Sequence, residues 1–129
     1  MTIVEQIVSR EIEAVIVYES KSVIAFADHD PINFGHILIC PTSPYESFIE
    51  LPEPVHNEIQ TVAKDLYLRL VAKFNPVGIS FIQNNGQCNE LDHYHLHIFP
   101  RYQDDKFGWT CSEIGVQTIE KLRNSLAGL

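Results

Sequence analysis

The chain has 129 residues, 45% of them hydrophobic, and a formal net charge of −8 from 17 acidic and 9 basic side chains. That is one domain with a real core, and its acidity excludes the basic footprint of a nucleic-acid polymer binder and disfavours an anionic membrane surface. Cys40, Cys88 and Cys111 form no Cys-x-x-Cys, no apolar run approaches ~18 residues, and no basic-then-apolar leader opens the chain, so a cytoplasmic protein with reduced thiols is expected.

Residues 2–11 fit a short helix, with Thr2 as N-cap, Glu5 completing a capping box, and Ile3, Val4, Ile7 and Val8 on one side. Residues 15–19 and 23–28 read as two strands, and the short polar link Ser20-Lys21-Ser22 makes them an antiparallel hairpin. Asp30 and Pro31 open a turn that closes at Gly35, residues 36–40 form a third strand, and residues 41–44 a loop. From 52 to 74, Val55, Ile59, Val62, Ala63, Leu66, Leu70, Val71 and Phe74 recur at three and four, the stripe of one long amphipathic helix. His56 near its start is expected to face solvent. Residues 78–83 are a fourth strand, 84–89 a polar turn built on Asn85-Gly86, and 91–101 a fifth strand. Ser112-Glu113 opens a closing helix through Leu126, with Ile119, Leu122 and Leu126 on one face. The predicted architecture is α+β: a five-stranded, mainly antiparallel sheet with one long helix, a short N-terminal helix and a C-terminal helix.

The chemistry concentrates in the fifth strand. His93, His95 and His97 stand at i, i+2 and i+4, with Tyr94, Leu96, Ile98 and Phe99 between and after them. A strand's period of two puts three imidazoles on one face and apolar side chains on the other. A rise of about 3.3 Å per residue spreads His93 and His97 over ~13 Å, too far for one tetrahedral metal, although two members of the row plus His36 remain a metalloenzyme alternative. The row suits an extended anion better: neutral imidazole offers a lone pair to phosphorus while its neighbours donate hydrogen bonds.

The segment His93-Tyr94-His95-Leu96-His97-Ile98-Phe99, continued by Pro100-Arg101, resembles the signature of the histidine triad (HIT) superfamily. Arg10-Glu11-Ile12, Val17-Tyr18-Glu19, Ala25-Phe26-Ala27-Asp28, Pro31 and Gly35-His36-Ile37-Leu38-Ile39 fall in register with it, so the resemblance covers roughly residues 3–101. It implies a single HIT domain over 1–129, with residues 102–129 as an extension of that core. It also implies hydrolysis of nucleoside phosphoramidates or dinucleoside polyphosphates through a covalent nucleotidyl-histidine, releasing a nucleoside monophosphate. His95 would be the nucleophile. His93 and His97 would hold phosphate oxygens, orient the nucleophile or assist proton transfer, and His36 would lie beside the row. Asp28 would accept hydrogen bonds from ribose hydroxyls, Ile3, Ile7, Ile12 and Phe26 would line the base, and Asn84 matches the family's Asn after the preceding strand. No cofactor is required, with incidental zinc or substrate-bound magnesium allowed, and a homodimer joined edge to edge is implied.

The chain departs from the pattern in places. The loop from Asn84 to His93 is slightly shortened, Asn89 stands where a Gln faces the leaving group, and Val4 replaces an aromatic of the base pocket. Glu90 replaces a small hydroxyl residue and, pointing inward, would repel a polyphosphate. Those changes motivate the alternative of a nucleotide-binding regulatory protein with little catalysis. Phe107-Gly108-Trp109 is expected to border the nucleotide site or a dimer seam, or else to plug the underside of the sheet.

Overall fold

A computed structural model describes all 129 residues. Helix α1, Ile3–Val8, opens with the predicted capping box: Thr2 Oγ1 accepts from the Glu5 N–H at 3.2 Å and Glu5 Oε1 from the Thr2 N–H at 2.9 Å. Strands β1 (Ile16–Glu19) and β2 (Val23–Ala27) form the expected hairpin, and β3 covers Ile37–Pro41. Helix α2, Glu53–Phe74, buries Ile59, Val62, Ala63, Leu66 and Leu70 and stops where Asn75 turns left-handed. Strands β4 (Gly78–Gln83) and β5 (Leu96–Arg101) follow, then helix α3, Ile119–Ser125.

The sheet runs β1-β2-β3-β5-β4 with every adjacent pair antiparallel. Strand alternation divides the core in two. On one face Val23, Ala25, Ile37, Ile39, Tyr94, Leu96 and Ile98 pack against the α2 stripe. On the other, Ile24, Phe26, Leu38 and Cys40 pack against Val4 and Ile7 of α1. Register puts Leu38 opposite both Phe26 and His97, so the histidines share the α1 face.

Gly35 makes this arrangement possible. Its φ is 91°, and a Cβ there would stand 2.9 Å from Pro100 and 3.0 Å from Phe74. Only glycine lets the chain pass between β5 and the end of α2, and it delivers His36 beside His97. Asn33 braces the same turn by donating to the Pro100 carbonyl at 2.9 Å and to Asp105 Oδ2 at 3.0 Å.

Four expectations need correction. Strand β5 begins at Leu96 rather than 91, because Asp92 is left-handed (φ 54°) and the Tyr94 N–H is taken by the Tyr45 carbonyl at 2.6 Å. The closing helix begins only after Thr118, whose hydroxyl accepts from the Lys121 N–H at 3.2 Å, and it buries no residue. Trp109 is 99% exposed, so it plugs nothing. His56 is half-buried, edge-on to Phe48 at 5.2 Å, instead of facing solvent freely. The C-terminal segment is anchored as far as Phe107: Arg101 grips Asp105 at 2.7 and 2.9 Å, donates to the Phe107 carbonyl at 2.7 Å, and lies over the Phe107 ring. No helix is long and apolar enough to cross a membrane.

Candidate active site

Four histidines meet on the α1 face, and their hydrogen-bond partners settle where each proton sits. The Ile32 N–H donates to His36 Nδ1 at 3.0 Å, so that nitrogen carries the lone pair and Nε2 the proton. His36 Nε2–H then donates to His97 Nδ1 at 2.9 Å, which leaves the His97 proton on Nε2. His95 Nδ1 faces the His93 carbonyl at 2.8 Å and must donate to it, so the lone pair of His95 is on Nε2. His93 Nε2 donates to the Pro41 carbonyl at 2.8 Å, and its Nδ1 accepts from the Thr2 hydroxyl, also at 2.8 Å.

Two ring nitrogens of this set have no protein partner: Nε2 of His95, a lone pair, and Nε2 of His97, an N–H. No enclosed side-chain nitrogen or oxygen lacks a partner, so both reach the surface. The two rings stand edge to face, 4.8 Å between centroids. A nucleophilic lone pair therefore lies beside a hydrogen-bond donor, on side chains that are otherwise immobilised.

Burial keeps His36, His93 and His97 neutral. It pushes His36 and His93 below the ordinary histidine value and His97 down to about 4, with His95 as an unfavourable neighbour in each case. His36 is consequently not an ion-pair partner of Asp28, whose Oδ2 lies 3.6 Å away. Asp28 Oδ1 accepts from the Asp30 N–H at 2.9 Å, and Oδ2 is left without a hydrogen-bond donor.

Asp28, His36 and His97 bring one ligand atom each within 4.8 Å of one another, the one grouping with metal-site dimensions. The donor chemistry opposes it. A metal on His36 Nε2 would need the proton on Nδ1, where it would meet the Ile32 N–H donor at 3.0 Å.

The other expected residues divide. Asn84 is half-buried, one step past the Gln83–Leu96 rung, so antiparallel register brings it beside His95; its side-chain amide has no protein partner. Phe26 and Ile7 are buried against each other's cluster, Ile12 packs at its border, Val4 is fully enclosed there, and Ile3 is 43% exposed at the rim. Two residues depart from part of what was expected. His93 has both ring nitrogens bound and no exposed surface, so of its expected roles it cannot hold phosphate oxygens, whereas orienting His95 through its carbonyl remains open to it. Asn89 is buried, donating to the Glu46 and His93 carbonyls at 3.0 and 3.3 Å and accepting from the Leu91 N–H at 3.0 Å, so its amide does not face a leaving group. Glu90 is exposed and forms no hydrogen bond or ion pair. Phe107 stands 5.1 Å from Phe99, which stands 5.3 Å from His36, so the extension begins two rings from the site while Trp109 itself touches nothing. Sequence reasoning missed the roles of Thr2 and the Pro41 carbonyl; the capping box located Thr2 but gave no sign of a partner 91 positions away.

The chain's similarity to known proteins bears on its family and fold. The HIT domain family matches residues 9–104. An uncharacterised HIT-like protein of Methanocaldococcus jannaschii is 39% identical over 115 residues, 84% of this chain and 88% of that protein. The adenosine 5'-monophosphoramidase of Saccharomyces cerevisiae is 29% identical over 127 residues, 94% of this chain and 77% of that protein. The crystal structure of a HIT family protein from Bacillus anthracis superposes with a TM-score of 0.82 at 32% identity, covering 96% of this chain and 91% of that one.

Proposed function

This chain belongs to the HIT domain family, and from that premise we propose that it hydrolyses small nucleotide conjugates, nucleoside phosphoramidates before dinucleoside polyphosphates, with His95 as the covalent nucleophile. One observation carries the reading. Of the eight ring nitrogens in His36, His93, His95 and His97, six are bound within the protein, and the two left free are a lone pair and a neighbouring N–H.

His95 Nε2 attacks the α-phosphorus. As the N–P bond forms, the bond to the leaving group breaks, and the amine departs with a proton taken up from solvent, which the attacking water returns in the second step. His97 Nε2–H donates to a phosphoryl oxygen or to the departing atom, where charge grows. Water then cleaves the N–P bond, returning neutral His95 and a nucleoside monophosphate. Before attack the His93 carbonyl holds the His95 tautomer, and afterwards it stabilises the positively charged ring. Asp28 Oδ2 accepts a ribose hydroxyl, the base rests at the rim formed by Ile3 over Ile7 and Phe26, and Asn84 reaches the phosphoryl group. No metal has a task in this sequence.

Electrostatics favour phosphoramidates. Arg101, the cation that ends the row, is held by Asp105, and the chain as a whole carries −8. A polyphosphate leaving group would enter with little to neutralise it, whereas an amine needs only a proton. That the yeast relative is an adenosine 5'-monophosphoramidase supports the same order.

The protein is also proposed to be a homodimer. Strand β4 is a sheet edge, and beside it Phe81 and Tyr67 stack at 6.5 Å, with Leu68 69% exposed. An open edge with an apolar border is a surface that a second copy would cover.

The test is AMP release from adenosine phosphoramidate and from diadenosine polyphosphates, with a chelator present, for the wild type and His95→Asn. Release by the wild type alone, faster from the phosphoramidate, is expected. Equal release by both proteins would remove His95 from the mechanism.

A further inference from the structure

Thr2 is the first residue with a fixed side-chain role, and its hydroxyl serves two elements at once. It accepts from the Glu5 N–H at 3.2 Å, which caps α1, and it lies 2.8 Å from His93 Nδ1. The direction of the second bond follows from the far side of the ring. The Pro41 carbonyl only accepts, so His93 Nε2 carries the proton and Nδ1 must accept from the Thr2 hydroxyl. His93 is thereby pinned at both nitrogens.

What His93 holds in turn is its own carbonyl. That oxygen receives His95 Nδ1–H at 2.8 Å and the Asn89 amide at 3.3 Å. Residues 92–95 have no sheet partner to fix them, since β5 begins at Leu96 and Asp92 is left-handed. The carbonyl's position therefore depends on three holds: the Tyr94 N–H of the same peptide on the Tyr45 carbonyl at 2.6 Å, the Asn89 amide, and the ring's anchors. Thr2 is the one anchor supplied by a side chain outside the loop, and it belongs to the helix whose Val4 and Ile7 pack beneath Phe26.

We propose that Thr2 is a positioning residue for the reaction, its hydroxyl seating His93 so that the His93 carbonyl fixes the tautomer and aim of His95. The proposal rests on the reading of His95 as nucleophile. It makes α1 a latch as well as a wall: the N-cap that starts the helix also closes it onto the nucleophile's segment.

Three substitutions separate the two tasks of the hydroxyl. Thr2→Ser keeps the acceptor and the donor, Thr2→Gly keeps most of the stability of the helix cap but has no hydroxyl to donate, and Thr2→Val has neither. With adenosine phosphoramidate as probe, Thr2→Ser retains the wild-type kcat, while Thr2→Gly and Thr2→Val each lose about 10-fold in kcat with KM within about 2-fold, the size of other losses of an orienting partner. A parallel 15N NMR measurement reads the imidazoles directly. In Thr2→Gly and in Thr2→Val the His93 Nδ1 resonance moves to its unbonded position. Wild-type kcat in Thr2→Gly would reduce Thr2 to a helix cap and overturn the proposal. So would His93 and His95 resonances unmoved in both variants. A wild type that releases no AMP would instead sink the reading of His95 as nucleophile, and the NMR arm would still decide whether Thr2 sets the two imidazoles.

Discussion

The two faces of the sheet are made by alternate residues of the same strands, yet they are built to different ends. Beneath α2 the contacts are apolar and continuous, with Ile59, Leu66 and Leu70 of a 22-residue helix set against Ile37, Ile39, Leu96 and Ile98. On the opposite face the covering helix has only six residues, and the space it leaves along β3 and β5 is filled by four imidazoles. One face supplies burial without chemistry. The other accepts polar burial, and each buried ring nitrogen is matched to a partner so that the cost of desolvation is offset. The division teaches that stability and the proposed chemistry are carried by residues of opposite strand parity.

Two substitutions break the comparison most sharply. His95→Asn should lower AMP release by on the order of 10⁴-fold or more while leaving the thermal midpoint nearly unchanged, because it deletes the only free lone pair of the set. Leu66→Ala should do the reverse: a cavity on the α2 face costs about 2–5 kcal/mol in denaturant titrations, with kcat per folded molecule unchanged. A catalytic defect in Leu66→Ala of the same size as that of His95→Asn would show that the faces are not independent.

Gly35 packs against Pro100 and Phe74 and directly precedes His36 of the other face, so its substitution sharpens the contrast. Gly35→Ala places a Cβ 2.9 Å from Pro100 at a φ of 91°. The strain should cost about 1–3 kcal/mol, and displacement of His36 should also reduce kcat, since His36 sets the His97 proton. Unfolding curves and kinetics on one preparation check both effects.

The site face should also be the one that feels mild acid. His36, His93 and His97 titrate below their unfolded value, His97 at about 4, chiefly because they are buried. The unfolded chain then binds more protons between about pH 6.5 and the folded values, so stability is full above that window and falls as pH drops through it. Denaturant midpoints at three pH values across the window should decline toward acid, and less steeply in His97→Gln; a flat profile would mean that the imidazoles are not buried neutral. The smallest effect is reserved for Glu90→Gln. Its side chain is exposed and unpartnered, so turnover should stay within about 2-fold, as is usual for a surface change away from such features.

Much of this was legible in the linear chain because periodicity survives folding. The α2 stripe and the Thr2–Glu5 box lie where their spacing puts them. The alternation after Tyr94 sorts Leu96 and Ile98 to the core and His97 to the site, even though the regular strand is shorter than expected. The partners were not legible. Spacing treats His93, His95 and His97 as equals, and only the folded chain shows that His93 is bound to Thr2 and Pro41, 91 and 52 positions away. Asn89 was misplaced for the same reason: an amide in a polar loop looks available until its backbone partners are known. The closing helix was read too long because Ser112-Glu113 has the form of a start signal, yet no tertiary surface lies near enough to support the residues that follow.

The most direct test is long-range 15N NMR of the four imidazoles in the ligand-free protein at neutral pH. The prediction is a proton on Nδ1 of His95 and on Nε2 of His36, His93 and His97. A proton on Nε2 of His95, or on Nδ1 of His97, would put the lone pair and the donor on the wrong atoms and contradict the assignment of nucleophile and donor.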